Sequence, residues 1–159
     1  MNKPADIQLR HAREEEIDQI YQLWQKLDTN SSLKPFGGDG PDKADRTHAL
    51  IRHSVLSDNA IALVALTNGK LIGTVSAYLY DKPAVQLPRI AVLYCLWIEP
   101  QYRHRGLAHQ LVYQARLDMQ ALGAQSLQVA WDSDNKIAQT FWKKEGFDAY
   151  EVIAGKTLI

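Results

Sequence analysis

A mixed α and β fold in a single domain is what this 159-residue sequence predicts, and three observations carry the prediction. Apolar residues step by three and four through some stretches and run in short blocks through others, the periodicities of helix and of buried strand. An Asn68-Gly69 pair separates two of the apolar blocks, a strong short-range signal for a hairpin. Helical and strand segments are interspersed with no internal repeat and no low-complexity tract, so residues 1–159 read as one domain around one core.

The elements follow in order. Ile17, Ile20, Tyr21, Trp24 and Leu27 recur at helical spacing behind Glu14, Glu15 and Glu16, whose charges suit the positive end of a helix dipole. Residues 28–46 then collect Asn30, Ser31, Ser32, Pro35, Gly37, Gly38, Gly40 and Pro41, too much punctuation for helix or strand. A loop of that length is either a lid or binding loop, or disordered. A short helix at about 46–57 leads to strands at 61–66 and 71–80, joined through Asn68-Gly69. The most apolar run, 90–98, reads as a central strand buried on both faces and stopped by Pro100. From Gly106 the positions Ala108, Leu111, Val112, Ala115, Met119 and Leu122 describe the main helix, capped by Gly123. A strand at 127–131, a helix at 135–145 closed by Gly146, and a last strand at 147–153 complete the order.

Composition excludes several classes of function. Eighteen basic and eighteen acidic residues cancel, leaving no global field of the kind that gathers nucleic acid or an anionic membrane. No segment approaches the ~20 apolar residues of a membrane span, and residues 1–10 lack the apolar stretch of a signal peptide. Cys95 is the sole cysteine, so no intrachain disulfide and no multi-cysteine metal site can form. A reducing, cytoplasmic setting follows as the expectation. Cys95 reads as a small core hydrophobe. His48 with His53, and His104 with His109, are five apart and do not share a helix face, so no metal is expected. Trp24 and Trp131 read as packing residues, and Lys143 and Lys144 as solvated helix charges.

Chemistry concentrates between Leu96 and Ala108, where a buried strand, a tight basic turn and a helix start meet. Helix N-termini leave backbone N–H groups unpaired and carry partial positive charge, so amides from about His104 to Ala108 can converge on a diphosphate. Gly106 and Ala108 keep side chains out of the way, and Arg103, His104 and Arg105 add charged donors. A phosphate-bearing ligand is the inference; the alternative is a solvated basic loop that merely caps the helix. A second pattern, Asn135, Ala138, Phe141, Gly146 and Phe147, follows on the helix after the next strand.

With both patterns in place, the sequence resembles the GNAT N-acetyltransferase superfamily. The family turn of Arg or Gln, two residues, Gly, one residue, Gly or Ala is matched by Arg103, Gly106 and Ala108. The later pattern is matched at Asn135, Ala138, Phe141, Gly146 and Phe147, and the opening Ile7 to Ala12 is also of the family's kind. The resemblance implies a central twisted, mostly antiparallel sheet flanked by helices, with the fourth and fifth strands splayed around acetyl-CoA. It implies that pantetheine pairs with the backbone of Leu96, Trp97 and Ile98 like an added strand. A backbone amide near Leu96 or Ile98 would then meet the thioester oxygen. The diphosphate would lie on the turn from Arg103 through Leu107 to Ala108, with Asn135 bonding pantetheine or holding the splay, and Phe141 and Trp142 beside the cofactor.

Two departures bear on mechanism. Where the family usually places a Tyr that protonates the departing thiolate, this chain has Trp142, whose indole N–H donates a hydrogen bond but gives up no proton. Releasing thiolate instead of thiol forgoes only about 1 to 2 kcal/mol near neutral pH, so water, Tyr94 or Tyr150 could serve. The central strand also lacks the early carboxylate that some members use, which leaves Glu99 and Asp132, at strand ends, as candidate bases acting through water, or as solvated acids with no role. A lysine-like amine costs roughly 4 kcal/mol to deprotonate near neutral pH and an α-amine under ~1, so a weak base set favours an α-amine or one with a shifted pKa.

The resemblance therefore implies transfer of the acetyl group from acetyl-CoA to a primary amine by direct attack in a ternary complex. The acceptor is expected to be a small molecule, in a pocket shaped by the 28–46 loop and the hairpin end near Tyr80 and Asp81. The alternatives are a protein or peptide amine, and a degenerate acyl-CoA-binding module that senses without turnover. No nucleic-acid or membrane partner is expected, and the resemblance is compatible with a homodimer.

Overall fold

Among the described residues, five strands lie side by side in chain order and form the sheet that positions everything else. The computed structural model describes residues 6–28, 42–156 and 158. Along the chain run β1 (Ile7–His11), a 3-10 turn (Glu14–Glu16), α1 (Ile17–Asp28), α2 (Lys43–Leu56), β2 (Ala60–Thr67), β3 (Lys70–Asp81) and β4 (Arg89–Ile98). A second 3-10 turn (Pro100–Tyr102), α3 (Leu107–Ala121), β5 (Ser126–Val129) and α4 (Lys136–Lys144) follow. Of the loop expected over 28–46, residues 29–41 lie outside the described residues, and α2 begins at Lys43, three residues before the expected start. Asn68 and Gly69 both take positive φ, 49° and 75°, as a two-residue hairpin turn demands.

The period-two alternation of the strands distributes the core between two layers. Ile61, Leu63 and Ala65 of β2 face α3 and α4, packing with Leu107, Leu111, Ala115, Met119 and Trp142. Val64 and Leu66 face the other way, onto Ile17, Ile20, Leu23 and Trp24 of α1 and Ile51 of α2. Neighbouring strands run antiparallel except β4 and β5, which run parallel.

Two findings correct the sequence reading. β4 is not buried on both faces throughout: Val92, Tyr94, Cys95 and Leu96 are half-buried, the last three beyond the point where pairing with β5 stops. No strand forms over 147–153: the Phe147 N–H closes the end of α4 on the Trp142 carbonyl, the residues after it pair with no strand, and Val152 and Ile153 are 92% and 86% exposed. Strand propensity is a preference for a pleated, half-buried surface, and it becomes a strand only where a partner edge is within reach. No helix among the described residues is long and apolar enough to cross a membrane.

Candidate active site

The splay of β4 from β5 is a matter of register. Pairing runs from Ile90 opposite Ser126 to Leu93 opposite Val129 and stops, while β4 continues to Ile98. Along Leu96, Trp97 and Ile98 the strand has β3 on one side and an unpaired edge on the other. On the β3 side, Thr74 pairs with Trp97 and Ser76 with Tyr94, so Val75 alone faces both Cys95 and Leu96. This is a bulge on β4, and Cys95 adopts φ 52°, a left-handed conformation uncommon for a residue with a Cβ. A bulge at a strand edge re-aims the backbone beside it. Gly73, opposite Ile98, allows the close approach: a Cβ there would stand 3.2 Å from the Trp97 carbonyl oxygen and 2.7 Å from Ile98 Cδ1.

Beyond β4 the chain turns into α3 through a basic loop whose arginines are committed largely to backbone. Arg103 donates from Nε to the Ile98 carbonyl at 2.8 Å and lies over the Trp97 ring at 4.6 Å. Arg105 donates from Nη2 to the Gln101 carbonyl at 3.2 Å and sits 5.5 Å from the Tyr102 ring centroid. His104 and Gly106 take positive φ of 61° and 78°, a curl of the kind that turns successive amides to one side. Gly106 occupies the N-cap of α3 without any side-chain cap, and the first ladder bond runs from Gln110 N to Gly106 O. The N–H groups of Leu107, Ala108 and His109 therefore precede the ladder at the positive end of a fifteen-residue helix. A Cβ built on Gly106 meets no atom within 4 Å. The Leu107 side chain is buried in the core, so only its backbone faces the turn.

Across the splay, Asn135 caps α4, its Oδ1 accepting from the Ala138 N–H at 3.0 Å. Its capping bond uses the oxygen and leaves the amide N–H groups for other partners. Trp142 is buried, its ring edge-on to Phe141 at 5.0 Å and to Phe147 at 5.2 Å, on the same sheet face as α3.

The three candidate acid and base residues are not brought to one point. Glu99 is not the solvated acid that a strand end suggests: it is buried, and its carboxylate receives the Lys26 ammonium of α1. Asp132 is half-buried in the turn between β5 and α4. Tyr94 points toward α1, its ring edge-on to Trp24 at 5.7 Å, and burial pushes its phenol up to about 12 against the weaker opposing influence of the Ser54 and Ser76 hydroxyls. Such a phenol is a hydrogen-bond partner and a poor proton source.

Sequence reasoning missed the polar floor beneath α1. Thr74 Oγ1, Trp24 Nε1 and Trp97 Nε1 are buried with no hydrogen-bond partner, although each such group ordinarily finds one, and Tyr94 Oη is buried beside the Ser54 and Ser76 hydroxyls. Register places Thr74 and Ser76 beside Trp97 and Tyr94, and the Trp24 ring lies against Tyr94. The available signal was the alternation of Thr74 and Ser76 inside an otherwise apolar strand.

An exposed strand edge, a bulge beside it and a helix N-terminus with open amides form one continuous cradle. The family model for the acetyltransferase (GNAT) family matches residues 17–147. The chain belongs to that family. This GNAT acetyltransferase is an acyltransferase by family, and acetyl-CoA is the family's acyl donor. Its fold is shared with solved structures of low identity. A predicted acetyltransferase of Clostridium acetobutylicum, solved with acetyl-CoA, is 13% identical with a TM-score of 0.81, covering 96% of this chain and 97% of that one. An aminoglycoside N-acetyltransferase in complex with CoA is 17% identical with a TM-score of 0.80, covering 100% and 99%. Glucosamine-6-phosphate N-acetyltransferase of Arabidopsis thaliana is 14% identical with a TM-score of 0.70, covering 97% and 99%.

Proposed function

We propose that this GNAT acetyltransferase moves the acetyl group of acetyl-CoA onto a primary amine of a small molecule by direct attack in a ternary complex. The observation that carries the proposal is the succession of two backbone surfaces: the β4 edge from Leu96 to Ile98, which no strand covers and where Arg103 holds the Ile98 carbonyl, and the α3 amides from Leu107 to His109. A strand edge suits the amides of a pantetheine arm, and a helix N-terminus suits a diphosphate. Acetyl-CoA carries both groups in that order, and the open space over Gly106 leaves room for the second.

The protein's own groups then orient more than they exchange protons. The bulge at Cys95 and Leu96 presents backbone N–H to the oxygen that gains charge as the amine attacks. Trp142, with Phe141 and Phe147, supplies apolar wall that excludes water from the thiol end. Glu99, with Lys26 beside it, and Asp132 are the two carboxylates assigned to receive the amine proton through water.

Isothermal calorimetry with acetyl-CoA and with S-acetylpantetheine tests the cofactor half. Much tighter binding of acetyl-CoA is expected, and equal affinities overturn the placement of the diphosphate. Thiol release measured over a panel of polyamines, amino acids, aminoglycosides and short peptides tests the acceptor half. Trp142 favours one second reading, an acyl-CoA sensor without turnover. Intact binding with no thiol release for any amine would select it.

A further inference from the structure

The sheet face that carries α1 and α2 is only partly covered by them. Val64 and Trp97 pack with the two helices, whereas Tyr78, Tyr80, Val92 and Gln128 share that face by register and belong to neither layer of the core. Val92 lies opposite Tyr78 on one side and Gln128 on the other, and Tyr94 follows two residues along the same strand. The smallest side chain of the group is thus ringed by larger ones and forms the floor of a depression. Contacts among the walls hold them in place. The Tyr78 ring stands edge-on to Tyr94 at 5.6 Å and tilted to Tyr80 at 6.4 Å. The Gln128 amide accepts from the Tyr80 hydroxyl at 3.4 Å and donates to that of Tyr150. Tyr78, Tyr80, Val92 and Gln128 line one cavity, and Tyr78 remains 38% exposed.

The chemistry of the depression limits what it can hold. Its walls are phenol rings, whose faces attract flat apolar surface and cations. Among the described residues, no strand residue that shares this stretch of the face is charged. Arg116 and Lys136, which line the same cavity, belong to α3 and α4 on the opposite face. An acidic group on a ligand would therefore lose water here without gaining a partner. The depression is also close to the fork: Val92 lies one residue before the last β4–β5 pair and three before Cys95, roughly 10 Å at a strand's rise per residue.

We propose that this depression seats the acceptor, and that the acceptor is a primary amine carried on a ring with an apolar face and no acidic group. The inference deepens the acetyl-transfer reading and rests on its placing of the thioester oxygen at the Cys95 and Leu96 bulge. The ring lies over Val92 between Tyr78 and Tyr94, and the amine extends along β4 towards the bulge. An arylalkylamine and an amino sugar both present such a ring. A free amino acid brings a carboxylate that nothing on this face receives, and an unbranched alkylamine leaves the ring walls unfilled.

The test is calorimetry of the full chain, saturated with CoA, against tyramine, glucosamine, free tyrosine and butylamine. Tyramine, glucosamine or both should bind at least about tenfold more tightly than tyrosine and butylamine, and the tighter of the two names the source of the ring. Val92→Trp fills the floor, and Tyr78→Ala removes a wall at an exposed position. Each should weaken binding of the ring amine by about tenfold or more with acetyl-CoA affinity unchanged. Tyrosine or butylamine bound as tightly as the ring amines overturns the proposal, and so does a ring amine that either folded variant binds as well as the parent. Tyr78→Ala decides the matter where Val92→Trp misfolds. Acetyl-CoA is titrated in parallel: normal acetyl-CoA binding without discrimination among the amines overturns the acceptor assignment alone, and absent acetyl-CoA binding overturns the donor reading and this one with it.

Discussion

Arg103 reaches back five residues to donate its Nε–H to the carbonyl of Ile98 at 2.8 Å. The bond clamps the last residue of β4 to the turn that opens α3, joining the two surfaces assigned to pantetheine and diphosphate. The guanidinium also stacks on Trp97. A lysine has neither the planar Nε–H nor the flat face for stacking, so Arg103→Lys should behave nearly as Arg103→Ala. Both should weaken acetyl-CoA binding about tenfold, equivalent to about 1.4 kcal/mol, with the melting temperature little changed. Calorimetry of the two variants checks this, and a lysine variant of full affinity would show that charge alone matters.

Tyr94 tests whether the phenol is an acid. Its hydroxyl is buried beside those of Ser54 and Ser76, and burial pushes it up to about 12, well above the thiol it would have to serve. Tyr94→Phe should keep turnover within about tenfold, with a stability change of no more than about 1 kcal/mol for the lost hydroxyl contacts. Ultraviolet titration should show one late-ionising tyrosine that disappears in the variant. The sign is that of a raised folded-state pKa: the group's contribution is complete below its unfolded value near 10 and is lost as pH climbs from there to about 12. A hundredfold fall in turnover with normal acetyl-CoA affinity would return Tyr94 to a catalytic role.

Glu16 anchors the start of α1 and predicts how the fold responds to acid. Its carboxylate accepts from Arg10 at 2.6 and 3.0 Å and from the Arg13 N–H at 2.8 Å, and the Arg10 bonds, ahead of the opposing burial, hold its pKa below the usual range. A depressed folded-state pKa contributes stability that is complete above the unfolded value, near 4.5, and disappears as pH falls through the folded value. Glu16→Gln should therefore cost about 1–3 kcal/mol at pH 7. Below pH 4 the gap between variant and parent should narrow in chemical denaturation. A gap independent of pH would mean that packing, and not charge, holds this corner.

The resemblance sets Trp142 at the position of the family's usual acid, and the proposed role is an apolar wall. As an apolar wall it should tolerate Trp142→Phe with turnover within about tenfold, and with a stability loss of about 1–3 kcal/mol for the space left beside Phe141 and Phe147. Trp142→Tyr should then gain little. A hundredfold gain with Tyr would make the native chain an enzyme that has lost its acid and would favour the sensing reading. Loss of turnover in Phe with affinity and melting temperature unchanged would make the indole N–H a specific donor.

Much of the site was legible because its signals are local. The run from Leu96 to Ala108 declares strand, turn and helix start through residue type alone, and the structure places Gly106 at the N-cap with positive φ. Asn135 likewise announces a helix start and caps α4. Thr74 and Ser76 were not picked out, since a lone hydroxyl in a strand is unremarkable until cross-strand register sets it beside Tyr94 and Trp97. Glu99 reads as solvated from its position at a strand end, and only the return of α1 over that end brings Lys26 to it.

By itself the sequence determined the kind and order of the elements from α1 to α4, the hairpin at Asn68-Gly69 and the basic, glycine-containing turn before α3. Each depends on backbone preferences and side-chain periodicity within about one turn or one strand of chain. Tertiary structure alone decided where β5 parts from β4, that Cys95 and Leu96 share one partner in Val75, and that 147–153 stands apart from the sheet. Those outcomes turn on which edges meet across long separations in sequence, and a strand-forming stretch such as Tyr150 to Ile153 carries no mark of whether a partner edge is within reach.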